Sequence, residues 1–362
     1  MTRKPYCALG SHRVLEPPGV LPQVAHRLDA TPHAHPNEIL CDVEALNIDS
    51  ASFRQIVDAT GGDEARVREH VLALVAERGK HHNPVTGSGG MFLGRVREIG
   101  AELAERGDLR PGDRIASLVS LTLTPLHIEA IERIDMTTGR IWIRGTAVLF
   151  ETGLYARLPD DLPDDVALAV LDVAGAPAQV RRLVRPGQTV AILGADGKSG
   201  MLACAQARHR AGSAGRVVGF GPDATTPGAR LLVEHGYVDA FVAADARDVF
   251  AMLDAQREVL PQLADVTINC VNVAGTELPS ILLTKDHGTV YFFSMSTSFT
   301  AAALGAEGVG KDVTMIVGNG YATGHAETAL QTLRDHPPLR AYFLARYATA
   351  PAPAPLEAPA HL

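Results

Sequence analysis

The sequence predicts an α/β protein in which a β-rich domain precedes a doubly wound parallel sheet. Three observations carry that expectation. The 362-residue chain is long for one core and comfortable for two, at roughly 100–200 residues per domain. Up to about residue 155 short β-like runs alternate with Gly and Pro, whereas from about residue 185 the texture becomes strand, turn, helix, repeated. A glycine-rich turn at residues 194–200 (GADGKSG) separates an apolar run from a helical one.

In the first half, residues 38–47, 92–99, 114–123 and 139–145 read as strands of a small barrel or curled sheet. One helix interrupts them. Residues 63–78 place Val67, Val71, Leu74 and Val75 on one face, with acids at the start and Gly79 just past the end. In the second half, strands are expected at 189–193, 216–220, 240–243, 266–271, 289–293 and 313–317. Helices are expected at 201–210, 229–235 and 249–257. Apolar strands separated by helices imply parallel strands buried on both faces. The domain bounds read as 1–155 for a catalytic domain and 156–320 for a dinucleotide-binding domain. A helical segment, 321–347 (helix 326–343), is expected to return to the first domain, and the Pro/Ala-rich residues 348–362 to be disordered.

Composition excludes several classes. Hydrophobic content of 46% and charged content of 20% exclude wholesale disorder. A net charge of −8 argues against nucleic acid, whose phosphates need a basic face. The chain has no 18-residue apolar stretch and no signal-peptide core, so no membrane partner and a cytoplasmic location are expected. Cys7, Cys41, Cys204 and Cys270 form no CxxC, so neither a disulfide framework nor a thiolate zinc site follows.

The turn at Gly194, Gly197, Lys198, Ser199 and Gly200 suits a dinucleotide. Glycines allow the tight turn and close backbone approach, and the following helix turns its free N–H groups toward a pyrophosphate. A nucleoside triphosphate loop would need four residues between its first Gly and Gly-Lys-Ser, and only Ala195 and Asp196 stand there. Gly221 occupies the place of the ribose-binding acid, Asp223 lies two residues later, and no arginine sits beside it. NAD and NADP therefore both stay open. Ser294 and Ser296 follow a strand at the carboxyl end of the sheet and are candidates for the nicotinamide side.

Residues 94–100 (GRVREIG), 110–115 (RPGDRI), 185–190 (RPGQTV) and the 194–200 loop, in that order, resemble the medium-chain dehydrogenase/reductase superfamily. The resemblance implies a GroES-like catalytic domain, a Rossmann domain, hydride transfer to a nicotinamide, and a homodimer or homotetramer. A narrower likeness covers nearly the whole chain. Residues 10–23, 42–53, 77–91 (ERGKHHNPVTGSGGM) and 193–200 resemble the L-erythro-3,5-diaminohexanoate dehydrogenases. It implies oxidative deamination of that amino acid to 5-amino-3-oxohexanoate and ammonia, as in lysine fermentation, with NAD or NADP. In zinc-dependent relatives a Cys, a Gly-His-Glu and a third ligand hold the metal. Here Asp49, Gly89-Gly90-Met91 and Ala169 stand in those places, so no metal is expected.

Amine oxidation needs acids for the substrate's ammonium groups and an acceptor for the departing proton. Asp49 takes the place of a ligand that would meet the reacting group; a capped turn is its plain alternative. Ser50 adjoins it. Asp172 stands in an apolar run next to the helix that the superfamily packs beneath the nicotinamide; its alternative is a helix-terminal acid. His82, beside His81, is a loop proton carrier or merely exposed. Lys80 is a candidate for the substrate carboxylate, Ser88 lies in a glycine-rich bend, and Glu151 is a further acid. Two rivals remain. A zinc-free enone or quinone reductase would line its pocket with Phe and Leu rather than converging acids. A non-catalytic dinucleotide-binding protein would bind cofactor without turnover.

Overall fold

The computed structural model describes residues 6–84, 89–294, 296–318 and 320–348. The chain divides at Pro159 into two units. The expected disordered tail lies outside the described residues, except Ala348.

In the first unit, β1 (Val14–Glu16) and β2 (Arg27–Leu28) form a short antiparallel pair. A six-stranded antiparallel sheet follows, built from β3 (Glu38–Asn47), β4 (Met91–Ile99), β5 (Arg114–Ser117), β6 (Leu126–Asp135), β7 (Arg140–Phe150) and β8 (Tyr155–Arg157). Its order is β6-β7-β3-β4-β5-β8. Strand β5 ends earlier than expected, because Leu121 donates its N–H to the Gly90 carbonyl and Leu123 to that of Ser120, turning the chain away.

Two longer helices, α1 (Ser50–Ala59) and α2 (Glu64–Arg78), and the single turn α3 (Ala101–Ala104) complete the unit. Helix α2 is the expected one. Asp63 caps it by accepting from the N–H groups of Ala65 and Arg66, and Gly79 closes it at φ 63°. Its Val67, Val71 and Val75 are buried with Cys41, Leu46, Phe92 and Ile141 of the sheet. Helix α1 was not expected. Its apolar face, Phe53 and Ile56, enters the same core, and Asp49 caps its start.

The N-terminal segment is fastened by Arg13, whose side chain is wholly buried. Its Nε and Nη2 fork onto Glu38 Oε1 and Oε2 at 2.9 and 2.6 Å, and its other N–H groups reach the carbonyls of Asp29, Thr31 and His33. His12, His35 and Glu38 cluster as metal ligands do, but the guanidinium already occupies both carboxylate oxygens. The cluster is an ion-pair lock.

In the second unit, α4 (Asp164–Leu171) and α5 (Gly175–Leu183) precede the expected alternation. The strands are β9 (Thr189–Leu193), β10 (Arg216–Gly221), β11 (Ala240–Ala243), β12 (Ala264–Asn269), β13 (Thr284–Phe292) and β14 (Thr314–Val317). Between them lie α6 (Lys198–Ala211), α7 (Pro227–Glu234), α8 (Val249–Val259), α9 (Glu277–Leu282) and α10 (Phe299–Gly308). All six strands are parallel, in the order β11-β10-β9-β12-β13-β14. The order reverses between β9 and β12, the switch point where such sheets bind ligands at their carboxyl ends.

The segment expected to return to the first domain is two helices, α11 (His325–Asp335) and α12 (Pro337–Tyr347). Pro337 cannot continue α11 and starts α12 instead. They pack on α4, α5, α6 and α7 within the second unit. Among the described residues no helix is long and apolar enough to cross a membrane.

Candidate dinucleotide and amine sites

Strand β9 runs into Gly194, whose φ of +70° starts the tight turn. The N–H groups of Gly194 and Ala195 both donate to the Phe220 carbonyl, at 2.8 and 3.0 Å, so the loop lies against the end of β10. A Cβ on Gly200 would stand 2.1 Å from the Gly194 carbonyl oxygen, which is why only glycine lets α6 approach. Gly197 caps α6 without a side chain, leaving its first-turn N–H groups for an anion at the positive end of a 14-residue helix. These residues fit a dinucleotide pyrophosphate.

The remaining cofactor candidates take varied positions. Lys198 Nζ lies 2.5 Å from Asp172 Oδ2. Asp172 is the C-cap of α4, and its carboxylate ties that helix end to the glycine loop at the start of α6. Ser199 hydrogen-bonds the Cys270 thiol, which burial pushes up to about 12. Ser294 Oγ donates to Asn272 Oδ1 and accepts from the Ser296 N–H, both at 3.1 Å, forming a turn just past β13. Gly221 ends β10. Asp223 is exposed and spends its Oδ1 on Thr225.

In the first unit, Asp49 Oδ1 accepts from the Ser52 N–H at 2.9 Å, so the capping role is real. Its Oδ2, however, is buried and has no hydrogen-bond partner among the described residues. His81 is fully buried, and its Nδ1 lies 3.0 Å from the Gly89 carbonyl. A carbonyl only accepts, so the ring proton sits on Nδ1 and Nε2 carries a lone pair. That Nε2 also lacks a partner among the described residues. Burial pulls the His81 pKa down to about 4, while the Gly89 hydrogen bond and the Asp49 charge act in the opposite sense. Thr122 Oγ1 is a third buried polar atom in this state. Asn83 positions the segment, its Nδ2 donating to Gln55 Oε1 at 2.8 Å and to the Ser52 carbonyl at 3.3 Å on α1.

Several expected partners are elsewhere. His82 turns to Arg78, 3.4 Å from Nδ1, so the histidine of the pair on which the Asp49 charge acts is His81. Lys80 is wholly buried and donates to the Pro22 carbonyl at 2.7 Å. It stitches the N-terminal segment to the end of α2, its ammonium spent on that carbonyl and not on a substrate carboxylate. Glu151 pairs with Arg106 at 3.2 Å. It follows Phe150, which faces Glu38, whereas Asp49 follows the Asn47 end of the same strand. Ten residues of strand, about 30 Å, separate those ends, so the two acids serve no common site. Ser50 opens α1 and its side chain is outside the described residues, as is all of Ser88. His81 was within reach of sequence reasoning only as one of an adjacent pair, since burial is what distinguishes it from His82.

The N-terminal domain of L-erythro-3,5-diaminohexanoate dehydrogenase is the family matched by residues 12–159. An L-erythro-3,5-diaminohexanoate dehydrogenase from Acetoanaerobium sticklandii is 52% identical over 342 residues, covering 94% of this chain and 99% of its own. One from Fusobacterium nucleatum is 52% identical over 338 residues, covering 93% and 97%. Among solved structures, galactitol-1-phosphate dehydrogenase from Escherichia coli aligns with a TM-score of 0.51 at 16% identity, over 84% of this chain and 83% of its own. A crotonyl-CoA carboxylase/reductase, AntE, in complex with NADP aligns at 0.51 and 18% identity, over 83% and 78%. These show the fold, a GroES-like domain and a Rossmann domain, and the loop geometry fits a nicotinamide dinucleotide. By sequence across nearly its full length, the chain belongs to the L-erythro-3,5-diaminohexanoate dehydrogenase family.

Proposed function

We propose that the protein oxidatively deaminates L-erythro-3,5-diaminohexanoate at C3, without zinc. The observation that carries this reading at the site is the pair of buried acceptors, Asp49 Oδ2 and His81 Nε2, left without partners among the described residues. A buried acceptor without a donor is costly, and an ammonium group is a donor in every direction. An enone or quinone carbonyl, which only accepts, would face a carboxylate oxygen there. The pair therefore favours the amine over the reductase alternative.

In this reading Asp49 Oδ2 binds and orients the C3 ammonium. His81 Nε2, kept neutral at physiological pH by burial, takes the proton that nitrogen must lose before its electrons can assist departure of the C–H hydride. The bound dinucleotide supplies the hydride acceptor. Water then adds to the iminium carbon, and the Asp49 carboxylate stabilises the protonated His81 that returns a proton to the leaving nitrogen. Overall, the ammonium form of the substrate, the oxidised dinucleotide and water give the ketone, ammonium, the reduced dinucleotide and one proton.

The test is to incubate purified protein with 3,5-diaminohexanoate and NAD, then NADP, following reduced cofactor and ammonia together. Equal amounts of both products establish amine oxidation. Oxidation of NADH or NADPH by an enone or quinone, with no cofactor reduction by the diamine, would overturn it.

A further inference from the structure

Strand β10 ends at Gly221, with no side chain where doubly wound dehydrogenases place the acid that holds the adenosine ribose. The space beside Gly221 is not empty. A Cβ there would stand 2.7 Å from Asp196 Oδ1 and 2.8 Å from the Phe241 ring. Asp196 belongs to the glycine loop, not to the strand. Its other oxygen, Oδ2, accepts from Thr226 Oγ1 at 3.0 Å, and that same hydroxyl caps α7 by accepting from the Ala229 N–H at 3.1 Å. The carboxylate is thus held by α7 over the end of β10, and Gly221 is glycine because the Asp196 carboxylate stands in its side-chain space.

We infer that Asp196 is the residue that selects the cofactor, taking the ribose 2′-hydroxyl of NAD and rejecting the 2′-phosphate of NADP. A carboxylate accepts hydrogen bonds from a hydroxyl, whereas a phosphate carries about −1.5 to −2 at neutral pH and offers only acceptors. The other charged groups at this end of the sheet are of both signs. Asp223 is a second negative charge, turned onto Thr225, and Arg230 of α7 acts on Asp223. The inference rests on the dinucleotide fold and not on the amine substrate, so it is tested by binding alone.

The experiment titrates the full-length protein with NADH and NADPH, following reduced-nicotinamide fluorescence without substrate. Wild type is expected to bind NADH at least tenfold more tightly. Asp196→Asn keeps the shape and the acceptor for Thr226 but removes the charge. It is expected to tighten NADPH tenfold or more while NADH changes less than threefold. Asp196→Ser, which relieves dependence on the Thr226 contact, is expected to move the ratio in the same direction, and Asp223→Asn to leave it within twofold. Equal or tighter NADPH binding by wild type overturns the inference, as does an unchanged ratio in both Asp196 variants or a ratio governed by Asp223. Failure here leaves the deamination reading standing, because no amine enters the assay.

Discussion

His81 is neutral because the protein surrounds it, and its single visible hydrogen bond decides which nitrogen is basic. Two outcomes follow at this scale. Asp49→Asn and His81→Gln should each lower kcat/KM for the diamine by about 100-fold or more, in the usual range for losing a positioned proton acceptor. Steady-state kinetics against pH checks this, and reduced-cofactor binding should stay within a few-fold of wild type. The second concerns stability. Unfolded histidine takes its proton near 6.5, native His81 only near 4, so as pH falls between those values the unfolded chain binds protons first. The native state therefore loses stability over that window, by up to about 3 kcal/mol from this one group. His81→Gln should flatten that part of the stability profile. A variant as acid-sensitive as wild type would show that His81 titrates normally.

Among the elements, the N-terminal segment and α1 carry lessons of different kinds. The segment 10–23 looks like a signature of the family, yet its Arg13 is a fastening, forked onto Glu38 and drawing in three carbonyls. Removing one partner of a buried ion pair costs about 3–5 kcal/mol, since the other is left charged and unpaired. Arg13→Met should destabilise the first unit by about that much, read by denaturation with fluorescence of Trp142, the single tryptophan, on β7. The His12 and Arg13 hydrogen bonds hold the Glu38 carboxyl at about 2, below its ordinary 4.5, against the effect of burial. That stabilisation is complete above about 4.5 and fades as pH falls toward 2. Helix α1 shows how a legible signal is lost. An Asp followed by SASFRQIVDA holds a cap and apolar residues at helical spacing, but the two serines and the turn-like start read as loop.

For the whole molecule, the clearest outcome concerns metal. Asp49 and His81 are two groups of ligand type, one of them already spending an oxygen on a helix cap. Treatment with EDTA or 1,10-phenanthroline should leave deamination within twofold of the untreated enzyme. Proportional loss on chelation, restored by zinc, would make Asp49 and His81 ligands instead of proton carriers.

What the sequence by itself determined is the run of elements and their class. Strands 189–193, 240–243 and 38–47, the capped helix α2 and the glycine loop all rest on contacts within a few residues, which periodicity and turn chemistry record directly. Tertiary structure alone decided which polar groups are left over. Lys80, Asp172 and Glu151 read in the sequence as side chains without partners, and folding sets Pro22, Lys198 and Arg106 beside them, from 26 to 58 residues away. His81 and His82 are adjacent and chemically identical, and only the packing around Gly89 buries one and turns the other to Arg78. Asp196 in the place of a residue at 221 is the same case, a carboxylate delivered from another loop. A sequence gives the valence of each side chain, but whether that valence is already satisfied depends on partners brought near by folding.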